Sequence, residues 1–200
     1  MSIKHIIFDL GNVLLNIHSE KAMAAFAETS KLPQSDIEKF FLSELHLGFM
    51  GGHYSSNQLF EILKAQYWLE LDFDTFCSIW NLVIGKPKDG IVDIIDKITG
   101  KFILSICSNT DPIHWKYCLE QYTFLHHFQY YFLSFEMKYN KPALEVFEKM
   151  LTTLEANGEE CVFIDDSYPN IEAAGRLGFH AVHAEEPNKI QDELVKLNLL

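Results

Sequence analysis

Arginine is almost missing from this chain: Arg176 is the sole guanidinium in 200 residues. An arginine-clamp mechanism is thereby excluded, and any bound phosphate has to be held by lysine, backbone N–H groups and metal. Positive charge of any kind is scarce. The 16 Lys and Arg face 28 Asp and Glu, a net charge of −12, which argues against nucleic acid or an anionic membrane as partner. The four cysteines, Cys77, Cys107, Cys118 and Cys161, show no CxxC spacing and lie in apolar or helical stretches; they read as reduced, buried thiols. No apolar run reaches the roughly 20 residues that a membrane span needs, and Asp9 breaks the apolar N-terminus before it reads as a leader. Low-complexity tracts are absent too. The expectation is a soluble, cytoplasmic protein.

What is present is enough apolar material for a sizeable core, 48% of the chain against 22% charged, as in an ordinary globular domain with or without an insertion. The run from Ile3 to Phe8 reads as a strand buried on both faces. It stops at Asp9, and Gly11 and Asn12 follow as turn formers. A carboxylate at the carboxyl end of a central strand sits where open α/β sheets bind ligands, although a strand-capping Asp would look the same.

Between about Ser19 and Leu82 the apolar residues recur at helical spacing, as in Ala22, Phe26, Ile37, Phe40, Phe41 and Leu45. Breaks at Lys31-Leu32-Pro33 and at Gly48 to Gly52 divide this tract, and four short helices fit. From Pro87 onward helix and strand alternate. Strands are expected at Lys101–Cys107, Tyr130–Ser134, Cys161–Ile164 and Phe179–His183. Helices are expected at Asp89–Thr99, Asp111–Tyr122, Pro142 to about Glu155, Ile171–Leu177 and Pro187–Leu200. The fold class is therefore α/β, a doubly wound, mostly parallel Rossmann-like sheet. A parallel crossover needs only about a dozen residues, so the long helical tract reads as a small inserted α-helical domain. Residues 16–86 form the insertion, residues 1–15 and 87–200 the main body, with hinges at Leu15 to His18 and Gly85 to Gly90.

Polar groups gather at three further strand ends or loops. Ser108, Asn109, Thr110 and Asp111 follow the second body strand and open a helix, where a hydroxyl and free N–H groups suit an anion; helix caps would use the same residues. Lys141 precedes a helix start, an unfavourable place for a cation that lacks an anionic partner. Asp165 and Asp166 close a buried strand side by side, which is costly unless a cation neutralises them. Mg²⁺, held by few carboxylates together with waters and substrate oxygens, fits that pair best.

Together these four signals resemble the haloacid dehalogenase superfamily of aspartyl-phosphate-forming hydrolases. The strand-ending Phe8-Asp9 is similar to its first motif, Ser108 with Asn109 to its second, Lys141 to its third, and Asp165, Asp166 and Asn170 to its fourth. The inserted helices look like the cap of β-phosphoglucomutase and related sugar-phosphate phosphatases. Phe8-Asp9-Leu10-Gly11-Asn12-Val13 with Lys141-Pro142 looks closest to the branch acting on α-D-glucose 1-phosphate. The resemblance implies attack by Asp9 on phosphorus and Mg²⁺ held by Asp9, the Gly11 carbonyl and Asp166, with Asp165 as ligand or support. Ser108, the Asn109 N–H and Lys141 would bind phosphate, and Asn12, Thr110 and Asn170 would support the site. The implied partner is a small phosphorylated metabolite, bound by a monomer or homodimer.

Gly11 departs from the pattern. Most phosphatases of the family carry there an Asp that serves as general acid and base, and losing such a group typically costs about 10² to 10⁴ in rate. An anomeric or acyl phosphate, whose leaving group needs little protonation, would suit the departure. The competing reading is a phosphate- and Mg²⁺-binding regulatory protein without turnover. A phosphorelay receiver is excluded because its acidic pair would follow the first strand, and a mutase would need the Asp that Gly11 replaces. His18 and His53 are further polar groups near the insertion, with a surface role the plainer reading. Phe49 and Tyr54 read as packing residues.

Overall fold

The computed structural model describes residues 2–30, 33–67, 69–184 and 186–200. In chain order, β1 (His5–Phe8) and β2 (Leu15–Ile17) precede five helices: α1 (Ser19–Ser30), α2 (Gln34–Phe41), α3 (Glu44–Met50), α4 (Ser56–Tyr67) and α5 (Phe73–Trp80). Next come β3 (Ile84–Pro87), α6 (Ile91–Ile98), β4 (Ile103–Ser108), α7 (Pro112–Gln121), β5 (Tyr130–Leu133), α8 (Ser134–Met137) and α9 (Leu144–Leu154). β6 (Cys161–Asp165), α10 (Tyr168–Arg176), β7 (His180–His183) and α11 (Pro187–Lys196) complete the chain.

The main sheet is parallel throughout, in the order β5-β4-β1-β6-β7. This is the expected α/β fold. Alternation along the strands explains the unbroken apolar run of β1. Ile6 and Phe8 face a cluster with Ile94, Ile98 and Ile190, whereas Ile7 faces the opposite one with Val146, Phe147 and Met150. Both faces are covered by helices, which favours apolar side chains from Ile6 to Phe8, after His5 at the strand start. The chain winds outward from β1 through β4 to β5, then returns to β6 on the other side of β1. That reversal opens a crevice at the carboxyl ends of β1, β4 and β6.

The stretches Leu15–Ile17 and Ile84–Pro87 pair as an antiparallel ribbon, which carries α1 to α5. These helices surround an aromatic-rich cluster of their own, with Phe26, Phe40, Phe49, Phe60, Phe76 and Trp80, joined by Ile113 from α7. Among the described residues the tract holds five helices rather than four, because Ser43 starts one that the sequence pattern hid: its side chain accepts from the N–H of His46 and caps α3. Gly48 lies inside α3 instead of breaking it, and its missing Cβ gives room to Tyr54, whose ring would lie 2.9 Å away. Of the Lys31-Leu32-Pro33 break, the first two residues lie outside the described residues. In the body, α9 begins at Leu144 rather than Pro142, and α10 begins three residues earlier than the pattern suggests, with Pro169 in its first turn. Among the described residues no helix is long and apolar enough to cross a membrane.

Candidate active site

Strand register brings the polar residues together. Phe8 is opposite Ile106 in β4 and Ile164 in β6, so the next residue, Asp9, emerges between Cys107 and Asp165. Its N–H still bonds to the Ile164 carbonyl at 2.8 Å. Asp9 Oδ1 accepts from the Leu10 N–H at 2.7 Å and from Lys141 Nζ at 2.9 Å. Oδ2 has no hydrogen-bond partner among the described residues.

Lys141 reaches this point from the loop before α9. Its ammonium meets Asp165 Oδ2 at 2.6 Å and the Cys107 carbonyl at 2.8 Å, besides Asp9. All three N–H donors are thus engaged. Burial works against its charge, but Asp9 and Asp165 outweigh that and raise its pKa. The anionic partner that a lysine before a helix calls for is therefore this carboxylate pair. Asp165 is fully buried, and its Oδ1 accepts from the Ser167 N–H and from Asn170 Nδ2. Asn170 thus supports Asp165.

Asp166 is half-buried and accepts at Oδ2 from Asn12 Nδ2 at 3.1 Å. Asn12 can turn toward it because its backbone is left-handed, φ 55°, a region that Asn enters more readily than most residues. Asp9, Asp165 and Asp166 each offer a carboxylate oxygen within 4.8 Å of the other two. Burial pushes Asp9 up to about 7, with Asp165 and Asp166 adding to the shift and Lys141 opposing it. Three hard oxygen donors around one lysine leave negative charge uncompensated, so the donor set fits a small divalent cation such as Mg²⁺.

Asp9, Lys141 and Asn170 line the floor of a cavity of about 590 Å³ whose walls come from both the sheet ends and the helical insertion; Asp165 and Asp166 adjoin Asp9 without lining it. Ser108 and Gly11 lie on it, and Ser108 Oγ has no protein partner among the described residues. Asn109 also borders the cavity, but its side chain is tied to Lys141, accepting from its N–H at 2.7 Å and donating to its carbonyl at 2.9 Å. Thr110 bonds through its backbone to the Ser134 hydroxyl. Gly11 has a steric reason. A Cβ there would stand 3.1 Å from Ile17 Cγ1, so β2 fills the space where the missing carboxylate would begin. His18 pairs with Glu20, His53 is exposed, and neither lines the cavity. Phe49 is fully buried packing.

The model of the haloacid dehalogenase-like hydrolases matches residues 3–178. The chain belongs to the haloacid dehalogenase-like hydrolases. It is 25% identical over 204 residues to the D-ribitol-5-phosphate phosphatase of Bacteroides thetaiotaomicron, covering 96% of this chain and 97% of that protein. A family enzyme of the same organism, crystallised with magnesium and inorganic phosphate, aligns with a TM-score of 0.83 at 27% identity, over 90% of this chain and 93% of that one. A haloacid dehalogenase-like hydrolase from Porphyromonas gingivalis shares the fold over 99% of this chain and 98% of its own, with a TM-score of 0.86 at 24% identity.

Two cavity residues of this haloacid dehalogenase-like hydrolase, His46 and His114, carry no sequence signal, and Phe41 reads only as an apolar residue at helical spacing. His46 and Phe41 come from the insertion, and Asp111 and His114 from the start of α7. Asp111 is legible as a helix cap, since its Oδ1 accepts from the N–H groups of Ile113 and His114. Its second oxygen binds His114 Nδ1 at 2.7 Å, one turn along, and Trp80 Nε1 at 3.0 Å, a contact that only the folded insertion creates.

Proposed function

We propose that this hydrolase is a Mg²⁺-dependent phosphatase that removes phosphate from a small sugar or sugar-alcohol phosphate through an aspartyl-phosphate on Asp9. The observation that carries the reading is the cluster of Asp9, Asp165 and Asp166 carboxylates within 4.8 Å of one another, with Lys141 paired to Asp9 and Asp165 and Asp9 opening on the cavity. Asp9 Oδ2 attacks phosphorus as the bond to the leaving oxygen breaks, and that oxygen takes up a proton on departure. Water then attacks the aspartyl-phosphate at phosphorus, releasing inorganic phosphate and restoring the carboxylate. Bound through Asp9, Asp166 and the Gly11 carbonyl, with Asp165 alongside, Mg²⁺ would neutralise charge on the phosphoryl oxygens. Ser108 Oγ and the Asn109 N–H would hold those oxygens, and Lys141 would offset the charge of Asp9. The inserted helices act as a cap over the site. The magnesium and phosphate bound by the B. thetaiotaomicron enzyme support magnesium as the metal and phosphate as the group handled.

On the substrate side, the relative named for D-ribitol 5-phosphate supports a phosphorylated polyhydroxy carbon chain. Gly11 supports a leaving group that departs without an acid, as an anomeric oxygen does. Assay of α-D-glucose 1-phosphate, D-ribitol 5-phosphate and glycerol phosphate with Mg²⁺ tests both points. Phosphate release that EDTA and Asp9→Asn each abolish is expected, with the anomeric ester ahead of glycerol phosphate. Undiminished activity of Asp9→Asn would overturn the mechanism, and the reverse order of esters would overturn the anomeric preference.

A further inference from the structure

The cavity wall opposite the sheet ends is mostly apolar, with Ile17, Phe41, Met50, Val83 and Ile84. Ser19 and His46 are the polar side chains that the insertion adds to it. The His46 ring is held on two sides. Its Nδ1 lies 2.8 Å from the Phe41 carbonyl, and its plane packs against Phe40, Phe41 and Trp80 with centroids 5.3–5.7 Å away. A carbonyl only accepts, so Nδ1 carries the proton. In the neutral ring Nε2 then bears the lone pair, and it has no protein partner among the described residues. Burial pushes the His46 pKa down, with the Phe41 carbonyl and Asp111 opposing and His114 adding, so the ring is neutral at pH 7. His114 also borders the cavity, but both its nitrogens are taken, Nδ1 by Asp111 and Nε2 by the Trp80 carbonyl.

Resting on the phosphatase reading above, we propose that His46 is a specificity-determining residue, its Nε2 accepting a hydrogen bond from a hydroxyl on the organic part of the substrate. A fixed acceptor in an apolar wall selects for a donor. A hydroxylated carbon chain satisfies it, a plain alkyl chain leaves it unpaired, and a carboxylate meets its lone pair head-on. A site built to bond a hydroxyl discriminates against the analogue that lacks it far more sharply than an apolar pocket does. His46 enters the cavity from the insertion, near Asp111 and His114, whereas the groups assigned to phosphorus come from the strand ends.

The test compares D-ribitol 5-phosphate with n-pentyl phosphate, two five-carbon primary esters that differ in their hydroxyls. In His46→Phe, which keeps an aromatic ring in the Phe40–Trp80 cluster, the ratio of their kcat/KM values should fall about tenfold, the worth of one neutral hydrogen bond. The change should lie in KM for the polyol ester, and His46→Gln, which restores an acceptor, should recover most of it. A merely structural role would depress both esters alike and leave the ratio unchanged, which overturns the proposal. Should the parent hydrolyse neither ester, the phosphatase reading fails instead. Calorimetric affinities of both esters for Asp9→Asn, with and without His46→Phe, then read the same ratio and decide the role of His46.

Discussion

Lys141 has every ammonium hydrogen committed to acceptors that are buried with it, so its replacement is felt twice. Lys141→Met leaves Asp165 an uncompensated charge in a fully buried position. Breaking a buried ion pair in this way costs about 3–5 kcal/mol, which urea denaturation should record, while turnover is lost. Asp9→Asn behaves oppositely. It removes one of three carboxylates crowded within 4.8 Å, so in EDTA the variant should be at least as stable as the parent. Its phosphatase rate should still drop at least about 10³-fold, because the nucleophile is gone. A stabilised but inactive variant would show that function, not folding, keeps the cluster charged. These residues are legible in the sequence because each one interrupts an apolar run or opens a helix, and the strand ends of a parallel sheet converge. Their partners are less so. Asn109 ties down the backbone of Lys141, and Asn12 reaches Asp166, through contacts 32 and 154 residues apart, which no local pattern encodes. His46 had no signal at all, since its meaning depends on where α3 is carried.

At the scale of elements, the join between α5 and α7 carries its own titratable clasp. Asp111 accepts from Trp80 Nε1 and from His114 Nδ1, and His114 Nε2 returns to the Trp80 carbonyl, the two rings stacking at 5.6 Å. Burial disfavours the imidazolium, but the Asp111 charge and both hydrogen bonds outweigh it and raise the His114 pKa. Burial likewise acts against the Asp111 carboxylate, yet His114 and the Trp80 N–H hold its pKa below the ordinary value. Besides Asp111, the titratable groups near this clasp are His46, Cys77 and Cys118. A raised histidine pKa contributes stability that is complete below the unfolded value of about 6.5 and lost as pH climbs through the folded one. Stability of the parent should therefore decline above about pH 6.5 by a component that His114→Gln lacks, as denaturant midpoints across pH 5 to 9 would reveal. Trp80→Phe, which keeps the ring and deletes the N–H, should cost about 1–3 kcal/mol by leaving a buried oxygen short of a donor. The strands and most helices were readable from apolar periodicity and turn residues. The β2–β3 ribbon was not, because two strands of three and four residues mix polar and apolar side chains and pair across the 66 intervening residues that hold α1 to α5. Ser43 was hidden for a related reason: a single capping hydroxyl amid apolar residues is a faint mark.

Over the whole molecule, the sheet gathers acidic groups at one crevice of a chain that is already strongly acidic, with a net charge of −12. Against three close carboxylates the site sets one lysine, and the insertion supplies one wall of the crevice. The folded state alone assembles this donor set, since the carboxylates come from residues 9, 165 and 166, far apart in an unfolded chain. A divalent cation that binds the folded state and ignores the unfolded one must stabilise the protein, by about 2.7 kcal/mol at a hundredfold excess over its Kd. For a chain of this length, about 2–4 °C of Tm follows each kcal/mol, so Mg²⁺ should raise Tm by about 5–10 °C and EDTA should reverse the gain. Asp166 is the half-buried member, and among the described residues its carboxylate bonds to Asn12 alone; its loss removes a ligand without stripping Lys141 of a partner. Asp166→Asn should therefore keep a Tm near that of the parent in EDTA and lose most of the Mg²⁺ response. A full response in that variant, followed by calorimetric scans at fixed Mg²⁺, would place the cation away from the Asp9–Asp166 cluster and redirect the search for it.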